Sequence, residues 1–113
     1  MPFINSRITC TLSVEKEKIL RERLSQIIAH VNANDDHFMA GFSDNYDLYL
    51  GTDKLELGAF VDIHTVRVIP ADVYKEMTEE ICELFKKELD ISGEHLYVAY
   101  YTAEAWGWNS KMF

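Results

Sequence analysis

Residues 58–70 read Gly58-Ala59-Phe60-Val61-Asp62-Ile63-His64-Thr65-Val66-Arg67-Val68-Ile69-Pro70. Ala59, Phe60, Val61, Ile63, Val66 and Val68 make Gly58 to Ile69 a long, β-branched-rich strand. Pro70 suits the first turn of a helix, where its missing N–H has no partner to lose. Val73, Met77, Ile81 and Phe85 then recur every four residues, one apolar stripe on a helix that reaches about Leu89. Asp90-Ile91-Ser92-Gly93 is a turn, and Leu96 to Tyr101 is the next strand. Strand, long helix, strand implies a parallel pair joined by a right-handed crossover.

The same pattern occurs upstream. Phe3 to Leu12 alternates, carries Ile4, Ile8, Thr9 and Thr11, and reads as a strand. Ser13 is placed as an N-cap, with Glu15 at the helix's positive end. Ile19, Leu20, Leu24, Ile27, Ile28 and Val31 give the apolar stripe of a helix running to about Val31. Asn32-Ala33-Asn34-Asp35-Asp36 breaks it. His37 to Phe42 and Tyr46 to Leu50 read as short strands, and Gly51 to Leu57 as a mostly polar loop. The order is β-α-β-β, then β-α-β, with both helices on one sheet face. The other face must bury its apolar residues too, and the simplest cover is another copy of the chain.

Composition narrows the partners. At 113 residues and 48% hydrophobic, the chain holds one domain with a real core. Its net charge of −8 repels phosphate backbones, which argues against nucleic acid. No apolar run approaches the ~20 residues of a membrane span. No charged segment followed by an apolar one opens the chain. The expected location is the cytoplasm, with any export by a route that needs no signal peptide. Cys10 and Cys82 form no CxxC, so neither a redox pair nor a zinc knuckle is expected. Both read as small core residues inside a strand and a helix.

The chain opens Met1-Pro2-Phe3-Ile4-Asn5. Removal of Met1 leaves Pro2 with a free secondary amine on a rigid ring. An α-amino group starts near ~8, and burial in an apolar pocket lowers that value. Such an amine is a general base suited to neutral pH. While Met1 stays attached, the same nitrogen is an amide and no base. On the dipeptide alone, Met-Pro is also simply a common opening.

Taken together, Met1-Pro2-Phe3-Ile4, Leu48-Tyr49-Leu50-Gly51, the Ala59 to Thr65 strand with His64, Leu89-Asp90-Ile91-Ser92 before Leu96-Tyr97-Val98, and Gly107-Trp108-Asn109 ahead of Phe113 carry a resemblance. In order and spacing the chain resembles the macrophage migration inhibitory factor family of the tautomerase superfamily. The resemblance implies an α+β fold over 1–113: a duplicated β-α-β unit, with halves of about 1–57 and 58–113 and two helices on a four-stranded sheet. It implies a homotrimer with a pocket between neighbouring subunits. It implies keto–enol tautomerisation of aryl 2-oxo acids such as phenylpyruvate, with no metal or organic cofactor.

Residue by residue, Pro2 matches the family's catalytic base. Tyr97 matches a tyrosine contributed by the neighbouring subunit. Val66 stands where a backbone N–H meets the substrate carboxylate, and Thr65 and His64 precede it. Phe38, Trp106, Trp108 and Phe113 are expected to form the aromatic wall. Two matches fail. Asn34 stands near the place of a carboxylate-pairing lysine, and Ala99 replaces an asparagine. A lost cation weakens carboxylate binding, so a high KM for phenylpyruvate is expected. Arg67 is the nearest replacement, but on a strand its side chain points opposite to Val66 and Val68. The family's CxxC positions hold Gly58 and Val61, so oxidoreductase chemistry tied to that motif is not expected. His64 reads as a hydrogen-bonded core or interface histidine, and Asp35-Asp36 as a solvated loop. The alternative function is a catalytically weak binding or signalling protein of the cytokine type, with a receptor if the protein is secreted.

Overall fold

The protein is described by a computed structural model covering residues 2–31 and 37–112. In chain order β1 is Phe3–Ile8, α1 Val14–Ile28, β2 Met39–Ser43, β3 Tyr49–Leu50 and β4 Asp53–Lys54. β5 is Ala59–Thr65, α2 Ala71–Leu89, β6 Leu96–Thr102, β7 Gly107–Trp108 and β8 Lys111–Met112. The main sheet runs β2-β1-β5-β6. β1 and β2 are parallel, β5 and β6 are parallel, and β1 meets β5 antiparallel. The two strand-helix-strand halves read from the sequence are therefore present, joined through the first strand of each.

One sheet face is the core. Ile4 pairs with Ile63, Ser6 with Val61 and Ile8 with Ala59, and all six are buried. Leu20, Leu24, Ile27 and Ile28 of α1 and Met77, Ile81 and Phe85 of α2 pack onto them. Spacing by three and four puts each set on one side of its helix. Burying one such side chain contributes about 1.5–3 kcal/mol. Ser13 caps α1, its Oγ accepting from the Lys16 N–H at 3.0 Å.

The element ends differ from the sequence reading, for local reasons. β1 stops at Ile8 rather than Leu12, because the following backbone is bound by the 44–46 turn. There Tyr46 N–H donates to Ile8 O and Asn45 N–H to Cys10 O. Cys10 therefore lies in a bend, not inside a strand. α1 stops at Ile28, where the bonds shorten to i−3 steps: His30 N–H to Ile27 O and Val31 N–H to Ile28 O. The segment read as a strand over 46–50 and a polar loop over 51–57 holds a small hairpin. In it Leu50 pairs with Asp53 across Gly51-Thr52, and Gly51 takes φ +63, a conformation glycine adopts without a Cβ penalty. Pro70 sits one place ahead of the first helical residue of α2, its carbonyl accepting from the Val73 and Tyr74 N–H groups.

The other sheet face carries no helix. Phe3, Asn5 and Arg7 of β1 alternate onto it, opposite His64, Asp62 and Phe60 of β5. Tyr97, Ala99 and Tyr101 of β6 lie beside Phe60, Asp62 and His64. Tyr97 is 58% exposed and Tyr101 49%. Tyr100 takes the core side, as the alternation requires: its hydroxyl is 2.7 Å from Thr78 Oγ1 and donates to Tyr74 O.

Candidate functional site

The parallel pairing of β1 and β2 decides what stands beside Pro2. Phe3 is level with Met39, and the Met39 N–H donates to Pro2 O at 3.0 Å. The residues just before β2, His37 and Phe38, are thereby brought next to the residue just before β1. Pro2 is buried. It lines a cavity of about 510 Å³ with Phe3, His37, Phe38, Met39, Trp106, Gly107 and Trp108. The β7–β8 hairpin supplies the tryptophan side: Trp108 is level with Lys111, and its ring stands edge-on to His37 at 5.0 Å. Gly41 leaves room for Phe3, since a Cβ there would come within 3.3 Å of the Phe3 ring.

Of the residues singled out in the sequence, Pro2, Phe38, Trp106 and Trp108 are brought together in this cavity. Thr65 and Val66 are not in its lining. Thr65 ends β5, buried, with its hydroxyl donating to Arg67 O at 2.9 Å. Among the described residues the Val66 N–H has no hydrogen-bond acceptor. Asn34 and Phe113 lie outside the described residues. Tyr97 is far from Pro2: it is level with Phe60, at the opposite end of β5. There it faces a second, smaller cavity of about 270 Å³ with Leu48, Tyr49, Leu50, Leu55, Ala59, Phe60 and His95.

Arg67 does not lie on a strand, contrary to the sequence reading. β5 ends at Thr65 and residues 66 and 67 form a bend, so strand alternation says nothing about where the Arg67 side chain points. It is exposed and makes no ion pair among the described residues. Sequence reasoning missed His37, Met39 and Phe3 as lining residues. The signal was available in the crossover, because a parallel return strand begins where the first strand begins.

His64 is held structurally. Its Nε2 is 2.6 Å from Asp62 Oδ2, and its ring stacks on Tyr101 at 5.0 Å. Asp62 is buried and also accepts from Arg7 Nη1 at 3.1 Å, so this carboxylate has a partner on each side. Burial pushes the Cys82 thiol above its ordinary value; burial does the same at Cys10, opposed by a backbone hydrogen bond and reinforced by Asp44. Neither thiol lines the cavity. Elsewhere, His30, Glu76 and Glu80 place a ring nitrogen and two carboxylates within 4.8 Å of one another on the surface between the helices.

A duplicated β-α-β sheet with a buried proline at the start of β1, beneath an aromatic cavity, has the architecture of the tautomerase superfamily. No protein-family model matches the chain, and no curated protein matches its sequence. Solved structures do match. MIF2 of Leishmania major is 26% identical with a TM-score of 0.90, over 100% of this chain and 97% of that one. The MIF-like protein of Entamoeba histolytica is 16% identical with a TM-score of 0.87, over 99% and 98%. The homologue from Prochlorococcus marinus is 18% identical with a TM-score of 0.85, over 98% of each. The fold is that of the macrophage migration inhibitory factor family, from end to end of the chain.

Proposed function

We propose that the protein is a keto–enol tautomerase of aryl 2-oxo acids of the phenylpyruvate type, working through the Pro2 amine freed by removal of Met1. The observation that carries this reading is the placement of Pro2, buried beside an aromatic-sided cavity of about 510 Å³. That volume is within the range of about 300–1,000 Å³ usual for small-molecule sites. An amine there is desolvated, which favours its neutral, basic form.

In the proposed cycle the aryl ring lies among Phe38, Trp106 and Trp108. The Pro2 nitrogen takes a proton from the carbon beside the carbonyl, and negative charge grows on the carbonyl oxygen. The ring ammonium then returns the proton to that oxygen, so each turnover closes with no net proton gained. The Val66 N–H is a free donor for the substrate's polar end. The Tyr97 phenol is a second donor only if another copy supplies it, because one chain keeps Tyr97 and Pro2 at opposite ends of the sheet. A homotrimer with intersubunit sites meets that need. The test is phenylpyruvate tautomerisation by the processed protein, by Pro2→Gly and by a form shown by intact mass to keep Met1. General-base catalysis is worth about 10²–10⁴-fold, so the form that keeps Met1 is expected to lose at least that order, and Pro2→Gly, which leaves a mobile primary amine, to lose less. Equal activity with Met1 attached would remove the amine from the mechanism and leave the protein a binding module.

A further inference from the structure

The lining of the Pro2 cavity is unusually poor in charge for this chain. Net charge is −8, yet among the described residues no carboxylate lines the cavity. Among the described residues, and apart from the Pro2 nitrogen, its lining contains one side chain able to carry a positive charge, His37. Phe3, Phe38, Met39, Trp106 and Trp108 offer apolar surface, with only the indole N–H groups as polar atoms. His37 is exposed and stands at the rim, while Pro2 is buried. Its ring is braced edge-on against Trp108 at 5.0 Å. The register of β1 and β2 sets Phe3 level with Met39, two residues after His37, and the cavity lining brings His37 and Pro2 together. An apolar wall with a base at its floor and an imidazole at its rim matches a ligand with an aromatic body and an anionic end.

We propose that His37, as the imidazolium, binds the anionic end of the ligand in the Pro2 cavity. This deepens the tautomerase reading and rests on it for the reacting end of the substrate. It assigns the role of a carboxylate partner to a residue three places beyond Asn34, where the sequence offered no cation. The charged and titratable groups around it are few. The Pro2 amine shares the cavity, and the backbone of Lys111 pairs with that of Trp108. Arg21 and Glu22 of α1 lie in the groove that also contains Phe38. Asp35 and Asp36 precede His37 in the sequence.

The experiment separates binding from chemistry. Tryptophan fluorescence is titrated with 3-phenylpropionate and with the uncharged 3-phenylpropanamide, for wild type, His37→Gln, His37→Lys and Pro2→Gly. His37→Gln is expected to weaken the acid about tenfold, as for one exposed charge-assisted hydrogen bond, and to leave the amide unchanged. His37→Lys is expected to keep the acid tight, because the lysine ammonium supplies a positive charge at the same place. Pro2→Gly is expected to turn phenylpyruvate over more slowly while still preferring the acid over the amide. In turnover, His37→Gln is expected to raise KM about tenfold with kcat held within about threefold, as for a group that binds ground and transition states alike. Acid affinity unchanged in His37→Gln, or amide affinity weakened equally, overturns the assignment. If acid binding depends on His37 but wild type does not turn phenylpyruvate over, the tautomerase reading fails and the anion site stands.

Discussion

A mixing experiment tests whether the site is built from two copies. In one chain Pro2 is level with Thr65 and Tyr97 with Phe60, five residues along β5 and two strands across. That is about 17 Å along the strands and about 10 Å across, or about 19 Å between backbones. A tyrosine side chain cannot span it, so any site using both residues needs a neighbour's Tyr97. Pro2→Gly alone replaces the rigid ring amine by a mobile primary amine, a loss of about tenfold or more. Tyr97→Ala alone removes a donor and part of the wall, a loss of about tenfold in kcat/KM. The two variants are denatured together in equal amounts and refolded. Half of the sites then carry a Pro2, and half of those meet an intact Tyr97. About one site in four is complete in a closed ring of either subunit number. Activity is expected to rise to about a quarter of wild type, several-fold above the unmixed blend. Activity equal to the average of the two parents, in a mixture shown by mass to contain mixed oligomers, would refute the two-copy site. A monomer by sedimentation at micromolar concentration would do the same.

Three further outcomes concern the scaffold. Phe85 is fully buried between α2 and the sheet, so Phe85→Ala is expected to cost about 3–5 kcal/mol in a urea titration; a loss under 1 kcal/mol would show that the site collapses freely. Ser6 is buried on the core face, and its Oγ has no hydrogen-bond partner among the described residues. Ser6→Ala is therefore expected to be neutral or stabilising by up to about 1 kcal/mol, and a clear loss would reveal a partner for that hydroxyl. Burial pushes the Tyr100 phenol above its ordinary value, against the lowering effect of its bond to Thr78. The folded state thus keeps this proton after the unfolded chain has lost it, and stability is fully present below pH ~10 and falls above it. Tyr100→Phe is expected to flatten that alkaline loss.

The sequence by itself determined the main-sheet strands, the two helices and their order, but not the short β3–β4 and β7–β8 hairpins. The four-residue stripe from Val73 to Phe85 and the β-branched run from Ala59 are local patterns, and local patterns fix whether a segment is helix or strand. The rule that a strand-helix-strand crossover is parallel then fixed both halves. It also identified Pro2 as the residue to watch. The ends of elements were not legible. Ile8 ends β1 because residues 44–46 bind the backbone beyond it, and β5 ends at Thr65, with Val66 and Arg67 in a bend. Those partners are distant in the chain, and periodicity carries no information about them. Only the tertiary structure decided the site. It joined β1 to β5 antiparallel, which sends Tyr97 to the far end from Pro2. It also laid β2 alongside β1, which puts His37 at the rim of the cavity. Distances between residues far apart in sequence follow from strand register, and register is set by how two buried faces fit together rather than by either strand alone.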